Sequence, residues 1–375
     1  MTDDGTAAQR PVGPPIPAGL DTPCLIVDLH IVEANAQRLQ SEMDGHGVRL
    51  RPHVKTHKSV ALGRLQMEVG AAGLTVGTLG EAEVFAAAGL TDLFLAYPLW
   101  AVGPKAARLR ALHDAIGLVV GVDSVAGAER LAAAVAGSRR PLRTRLEIDS
   151  GAHRTGVGSP ELAAHVARAA VELGLVVEGV FTHGGHGYAG PDARAAAAAD
   201  EIRTLTAAAD ALAAAGLPVT IVSAGSTPTM HDAAAGGVNE MRAGTYLLGD
   251  RQQAALGAIP ADALAAHVIA TVVSTAVPGQ VVIDAGAKAL TKDRAPFLTG
   301  FGGLPAYPDA VIERVNDYHG IVLIPPGAAA PHLGEVVAVA PNHVCPVVDL
   351  FDTFLAVRGV DIVGRWPVDA RGRSG

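Results

Sequence analysis

Cysteine is almost missing from this chain: Cys24 and Cys345 are the only two in 375 residues. Two thiols cannot build a disulfide framework for a chain this long, so a reduced, cytoplasmic setting is expected, with a separate role for each cysteine. Cys24 lies in an apolar stretch and reads as core filling. Charge is also sparse, at 18% of residues with a net charge of -8, and Lys and Arg form no extended run. A phosphate-backbone footprint is therefore missing, and no nucleic-acid partner is expected. Nor does any stretch offer eighteen uncharged apolar residues, so no membrane span is expected. The Pro/Gly-rich segment Met1–Gly19 lacks the basic-then-apolar pattern of a secretion signal.

What is abundant is apolar and small. Hydrophobic residues make up 49% of the chain, aromatics only 4%, and there are 44 glycines, a composition that suits an α/β protein with closely packed helices and buried parallel strands. The length exceeds what one core usually supports. The expected division is a barrel over residues 21–265, a mostly β domain over 266–375, and an extension over 1–20 packing on the second domain. Short β-rich runs alternate with Ala/Leu-rich helical segments at Val48–Val54, Leu74–Thr78, Leu93–Tyr97, Gly117–Val122, Arg143–Ile148, Val176–Thr182, Val219–Ser223 and Glu240–Thr245. Eight such units argue for a (β/α)8, TIM-like barrel, with a doubly wound open sheet as the alternative. Beyond 265, His267–Val273, Gln280–Ile283, Gly320–Ile324 and Glu335–Val339 read as strands, and the tail Asp369–Gly375 as loosely held.

In such a barrel the chemistry gathers at the C-terminal strand ends. Lys55, His57, Tyr97, Asp123, Asp149, His183, His186, Ser223 and Arg242 all fall there. The densest segment is Arg51-Pro52-His53-Val54-Lys55-Thr56-His57-Lys58. On a continuing strand, His53, Lys55 and His57 would share one face and point into the barrel mouth. A Schiff-base lysine needs neighbouring positive charge and partial burial to lower its pKa. The residues alone serve a solvated basic loop as well as a catalytic one.

Other segments carry chemistry of their own. Ser223-Ala224-Gly225-Ser226-Thr227-Pro228-Thr229 combines hydroxyls with exposed backbone N–H groups, which suits an anion, and Arg242-Ala243-Gly244-Thr245-Tyr246 would complete that cradle. In Asp149-Ser150-Gly151-Ala152-His153-Arg154, the arginine could meet a cofactor phenolate, and a salt bridge to Asp149 is the favoured reading of the residues alone. His183-Gly184-Gly185-His186-Gly187-Tyr188 sets two histidines among glycines, as an acid/base or substrate contact would require. Finally, His343-Val344-Cys345 on an extended segment would put two metal donors on one face, and the thiolate favours zinc over manganese or magnesium.

In order, these segments resemble the family of eukaryotic-type D-serine dehydratases and D-threonine aldolases, a branch of the alanine-racemase-like, fold-type III pyridoxal-phosphate enzymes. Thr78-Leu-Gly-Glu-Ala-Glu83, Asp284-Ala-Gly286 and Pro341-Asn-His-Val-Cys345 add to the likeness, which runs from about Asp21 to Asp352. The resemblance implies a homodimeric lyase acting on D-amino acids with a β-hydroxyl. Dehydration is the leading expectation; retro-aldol cleavage, racemization and a non-catalytic cofactor carrier are the alternatives. Pyridoxal 5'-phosphate would be held by Lys55, His53, Arg154, His183, Tyr188, Ser223, Gly225, Ser226, Thr227, Arg242, Gly244, Thr245 and Tyr246. Lys55, His186 and His319 would be catalytic, and His343 and Cys345 would bind a divalent metal, zinc before manganese or magnesium. Two departures stand out. The family often carries Glu-His-Gly where this chain reads Asp317-Tyr318-His319-Gly320, and Arg-Pro-Gly where it reads Arg242-Ala243-Gly244.

Overall fold

The computed structural model describes residues 13–375 and forms two compact units. A barrel unit takes Glu33–Leu247, Gln253–Pro260 and Val368–Gly375; a sheet unit takes the residues up to Val32 together with Leu248–Gln252 and Ala261–Pro367. The division differs from a single cut at 265. Strand β1 (Cys24–Asp28) runs beside two strands of the sheet unit, and the residues after Pro367 belong to the barrel.

The barrel is built from β2 (Arg49–Leu50), β3 (Leu74–Val76), β4 (Leu93–Pro98), β5 (Val119–Val122), β6 (Arg143–Glu147), β7 (Val176–Phe181), β8 (Ile221–Ala224) and β9 (Glu240–Met241). They pair in parallel, in chain order from β3 to β9, with β2 beside β9. A bridge between His53 and Thr75 closes the ring, and Thr75 N donates to Pro52 O at 2.8 Å. This is the expected (β/α)8 arrangement, and the open-sheet alternative falls with the closure. Leu93, Phe94, Leu95 and Val120 are fully buried, as strands covered on both faces must be. Thr78, Ser124 and Ser159 end three βα loops, and each side chain accepts a hydrogen bond from the backbone N–H three residues on. Those caps start the helices Leu79–Ala87, Val125–Ala134 and Pro160–Glu172 on the side of the barrel where the strands end.

The sheet unit joins β1 to β10 (Ala266–Ser274), β11 (Gln280–Ile283), β12 (Val311–Val315), β13 (Gly320–Leu323), β14 (Val336–Val339), β15 (Thr353–Arg358) and β16 (Asp361–Pro367). Its order is β12-β13-β11-β10-β1-β15-β16, with β14 also on β10; only β1 and β15 run parallel. Ile26, Ile269, Ala338, Leu355 and Val357 form its core, with Ile16, Leu20 and Cys24 packed against them. Residues 13–20 of the expected extension thus meet this unit, whereas residues 1–12 lie outside the described residues. Burial raises the Cys24 thiol to about 11, consistent with a packing role.

The tail corrects an expectation. Ala370 N donates to Lys58 O at 2.9 Å and Gly80 N to Gly375 O at 3.0 Å. Thr78 Oγ1 donates to Arg373 O at 2.6 Å, and Asp369 accepts from Val60 N at 2.7 Å. The segment is held because its acceptors meet helix N–H groups that have no intrahelical partner.

Candidate active site

A cavity of about 240 Å³ opens at the C-terminal ends of the barrel strands, lined by residues of the barrel unit alone. Lys55, His53, Tyr97, Arg154, His183, Tyr188 and Arg242 supply its polar side chains; Gly225, Ser226, Thr227, Gly244 and Thr245 form one wall; Gly77, Ala96 and Phe181 complete it.

Lys55 does not reach this cavity on a strand. The chain leaves β2 and turns through a 3-10 helix, Val54–Thr56, whose first N–H is capped by the strand-end His53: Lys55 N donates to His53 Nδ1 at 3.3 Å. The turn keeps His53 and Lys55 on the cavity but rotates His57 into the core. There His57 is fully buried, receives Ser59 N at 3.1 Å and meets Gln66 Oε1 at 3.2 Å. The common strand face expected for His53, Lys55 and His57 is therefore absent. Lys58 is buried as well, and its ammonium lies 3.9 Å from Glu81. Of the two lysines, Lys55 lines the cavity.

Positive charge dominates the electrostatics. Burial first, then Lys55, pushes the imidazoles of both His53 and His183 well below the usual histidine range, with Arg242 adding to each. Both rings are thus neutral acceptors or donors at neutral pH. Arg242 is itself buried, and loss of solvent lowers it to about 10. Its guanidinium donates to Thr182 O and Ser223 Oγ and stacks 5.2 Å from the Phe181 ring centre. Ser223 lies under the wall and donates to Glu240 at 2.7 Å. Tyr246 is likewise supporting: its hydroxyl accepts from Gln66 at 3.0 Å and its N–H donates to Thr227 Oγ1 at 3.1 Å. Neither Ser223 nor Tyr246 lines the cavity.

The arginine reading changes too. Arg154 faces Glu147 at 3.7 Å rather than Asp149, whose carboxylate accepts from His153 Nδ1 at 2.7 Å and Gly151 N at 2.9 Å. His186 does not line the cavity; it sits 3.4 Å from Asp200 and packs on Gly151. Gly225 has φ of +92°, and a Cβ there would stand 2.0 Å from Met241 Sδ, so this turn of the wall admits glycine alone.

Two buried carboxylates escaped the sequence reading. Glu201, on helix Ala193–Ala214, is fully buried and accepts from Gly184 N at 2.7 Å and Gly225 N at 3.1 Å. One oxygen thereby ties the loop of His183 to the loop of Ser226. Glu240 accepts from Arg51 at 2.9 Å and pairs with Arg145 inside the barrel. No local pattern marks either residue, because their partners lie 17 to 189 residues away.

The remaining expected residues belong to the sheet unit. His319 is exposed in the turn between β12 and β13. His343 precedes a short helix, Val344–Val348, so Cys345 lies on a helical turn and not on an extended segment. The two side chains nonetheless share a hydrogen bond, and Asp293 Oδ2 takes His343 Nδ1 at 2.8 Å. Among the described residues, no group of three His, Cys, Asp or Glu stands ready for a metal ion. No helix among them is long and apolar enough to cross a membrane.

Comparison with known proteins places this geometry. The profile of the alanine racemase N-terminal domain matches residues 27–252, and that of a serine dehydratase domain matches residues 265–357. D-threo-3-hydroxyaspartate dehydratase of Delftia sp. (strain HT23) is 37% identical, over 92% of this chain and 97% of that protein. Its solved structures, one of them a cysteine-to-alanine variant in the metal-free form, superpose with a TM-score of 0.85 over 93% of this chain and 97% of that one. D-threonine aldolase of Arthrobacter sp is 33% identical over 99% of this chain and 98% of its own length. The crystal structure of D-threonine aldolase from Filomicrobium marinum has a TM-score of 0.88 at 31% identity, covering 97% of this chain and all of that one. This chain belongs to the alanine-racemase-like, fold-type III pyridoxal-phosphate family of D-serine dehydratases and D-threonine aldolases.

Proposed function

We propose that the protein is a pyridoxal-phosphate-dependent, metal-assisted lyase that dehydrates D-amino acids carrying a β-hydroxyl to a 2-oxo acid and ammonia. The observation that carries the reading is one cavity in which a lysine amine, two neutral histidines and two arginines face a wall of hydroxyls and glycines.

That donor set fits the cofactor. Lys55 would hold its aldehyde; Ser226, Thr227, Gly244 and Thr245 its phosphate; Arg154 its phenolate; and His53, His183, Tyr188 and Arg242 would border its ring. Bound pyridoxal phosphate supplies an electron sink for charge developing at the substrate's Cα. Lys55 removes the Cα proton, for which its place on the cavity suits it. His53 and His183, held neutral, add no positive charge of their own beside that amine. Ser223 and Tyr246 act from behind, fixing Arg242 and Thr227, while Gly225 shapes the wall itself.

A second group is implied on the sheet unit. His343 and Cys345 are two donors of mixed hardness, and a carboxylate on His343 Nδ1 leaves Nε2 as the ligand atom. Two protein donors leave open positions, as catalytic rather than structural metals require, and the thiolate favours zinc. A metal there would polarise the β-hydroxyl so that it can leave as water. Loss of the Cα proton and of water yields an enamine, which hydrolyses to the 2-oxo acid and ammonia. By the resemblance, His186 and His319 would serve as acid/base groups toward the substrate. The free cysteines support a cytoplasmic setting, and the resemblance supports a homodimer, which light scattering tests.

Incubation with D-threonine separates the outcomes. 2-Oxobutanoate with ammonia supports dehydration, glycine with acetaldehyde replaces it by retro-aldol cleavage, and threonine inverted at Cα replaces it by racemization. No turnover of D-threonine, D-serine or D-threo-3-hydroxyaspartate by the cofactor- and zinc-loaded protein would overturn the reading.

A further inference from the structure

The turn that carries Lys55 ends in an unfavourable backbone. Lys58, three residues on, has φ of +49°, a left-handed conformation that costs a side-chain-bearing residue about 1 kcal/mol. Helix Val60–Val69 then begins without a local cap, since Ser59 makes no side-chain capping bond and its buried hydroxyl has no partner. What holds both features comes from the far end of the chain. Ala370 N donates to the Lys58 carbonyl at 2.9 Å, and the Asp369 carboxylate takes Val60 N at 2.7 Å from 309 residues away. A carboxylate at this place satisfies an orphan N–H and meets the positive end of the helix dipole.

The same segment reaches the next loop of the barrel. The carbonyl of Arg373 accepts from Thr78 Oγ1 at 2.6 Å, and that of Gly375 accepts from Gly80 N at 3.0 Å and from Arg108 at 2.8 Å. A Cβ on Gly80 would stand 2.9 Å from Arg373 Cβ and from Gly375 O, so the contact is close. This loop carries Gly77, which lines the cavity and donates to Glu81 at 2.6 Å. Acceptors of one short segment thus lie on the N-termini of two helices, one after Lys55 and one after Gly77.

We propose that Val368–Gly375 is a strap that sets the position of Lys55, with Asp369 as its positioning residue. Asp369 touches no cavity residue; it acts through Val60 and, with Ala370, through Lys58. The inference rests on the reading of Lys55 as the cofactor's lysine.

The test uses Asp369→Ala and Asp369→Asn in the full chain, with two readouts besides activity. The first is hydrogen exchange of the amides from Thr56 to Leu62 in the cofactor-free protein. The second is the pyridoxal-phosphate concentration that half-saturates the absorbance of the lysine adduct. Removing the cap is expected to speed exchange in that segment alone and to raise the half-saturating concentration about fivefold. Asp369→Asn keeps an accepting oxygen and is expected to restore both toward the unsubstituted values. If Asp369→Ala does not fold, Asp369→Glu displaces the carboxylate by one methylene and should shift both readouts the same way, by less.

A lower melting temperature with unchanged exchange at Thr56–Leu62 and unchanged cofactor saturation would overturn the strap. So would failure of Asp369→Asn to restore either. Borohydride trapping in the unsubstituted protein separates this from the underlying reading. An adduct on another lysine overturns both, whereas an adduct on Lys55 with unaltered Asp369→Ala readouts overturns the strap alone.

Discussion

Replacing Glu240 by Gln keeps the side chain's shape and removes one charge from the middle of the barrel. The carboxylate is fully buried, and it lies against Arg51 and Arg145, whose side chains are 6% and 2% exposed. Burial alone would raise its pKa; Arg145 and Arg51, with help from the Ser223 hydroxyl, instead bring it from 4.5 down to about 2. At about 1.4 kcal/mol per pH unit, that preference for the ionised form is worth about 3 kcal/mol. The same size follows from leaving buried cations short of a partner, at roughly 3–5 kcal/mol. Because the folded-state pKa lies below the unfolded one, the contribution is complete above pH 4.5 and is lost as the pH falls through about 2. Urea unfolding at pH 7 should show Glu240→Gln to be about 3 kcal/mol less stable, and the variant should lack this part of the loss on acidification. A variant within 1 kcal/mol of the unsubstituted protein at pH 7, or one with an unaltered acid profile, would refute the assignment of that network.

Three further outcomes are expected. Gly225→Ala, with its left-handed φ and a Cβ 2.0 Å from Met241 Sδ, should cost about 3 kcal/mol in thermal unfolding and weaken cofactor binding; Gly158→Ala, where a Cβ meets nothing within 4 Å, should leave both unchanged. Glu201→Ala strands the buried N–H groups of Gly184 and Gly225 at about 1–3 kcal/mol each; cofactor titration should show weaker binding, recovered in part by Glu201→Gln, which keeps an acceptor. Cys345→Ala should lose bound metal, measured by elemental analysis, and with it the turnover of D-β-hydroxy amino acids while still forming the lysine adduct; chelation should do the same to the unsubstituted protein, reversibly on adding zinc.

Much of the barrel is legible because most strands announce themselves locally, as an apolar run followed by a helical segment, three of them capped by Thr78, Ser124 and Ser159. Six of the eight expected runs overlap their strands closely; Val48–Val54 is strand only at Arg49–Leu50 and Glu240–Thr245 only to Met241, because 3-10 turns follow at Val54 and at Thr245. Cys24–Asp28 is not legible in the same way, because a single apolar strand does not say which sheet it joins, and β1 pairs with β10 and β15, more than 230 residues on. The same reasoning separates the cavity residues. His53, His183 and Arg242 stand at or just past strand ends, where position marks them, and Lys55 follows on the turn after β2. His57 departs from its expected face because period-two alternation holds only while the strand continues, and the 3-10 turn at Val54 breaks it. For Arg154 the nearest acid in sequence is Asp149, but two backbone N–H groups and His153 already occupy it. Glu201, Glu240 and Asp369 left no trace in the sequence, since each is defined by partners that only the closed barrel brings near.

The most direct test of the account is to locate the cofactor's lysine. Protein incubated with pyridoxal phosphate, reduced with borohydride and digested should carry the phosphopyridoxyl mass on the peptide containing Lys55, and fragmentation should assign it there. Lys55→Ala should abolish the adduct, and Lys58→Ala should retain it. A label on Lys58, or undiminished labelling of Lys55→Ala, would contradict the central claim.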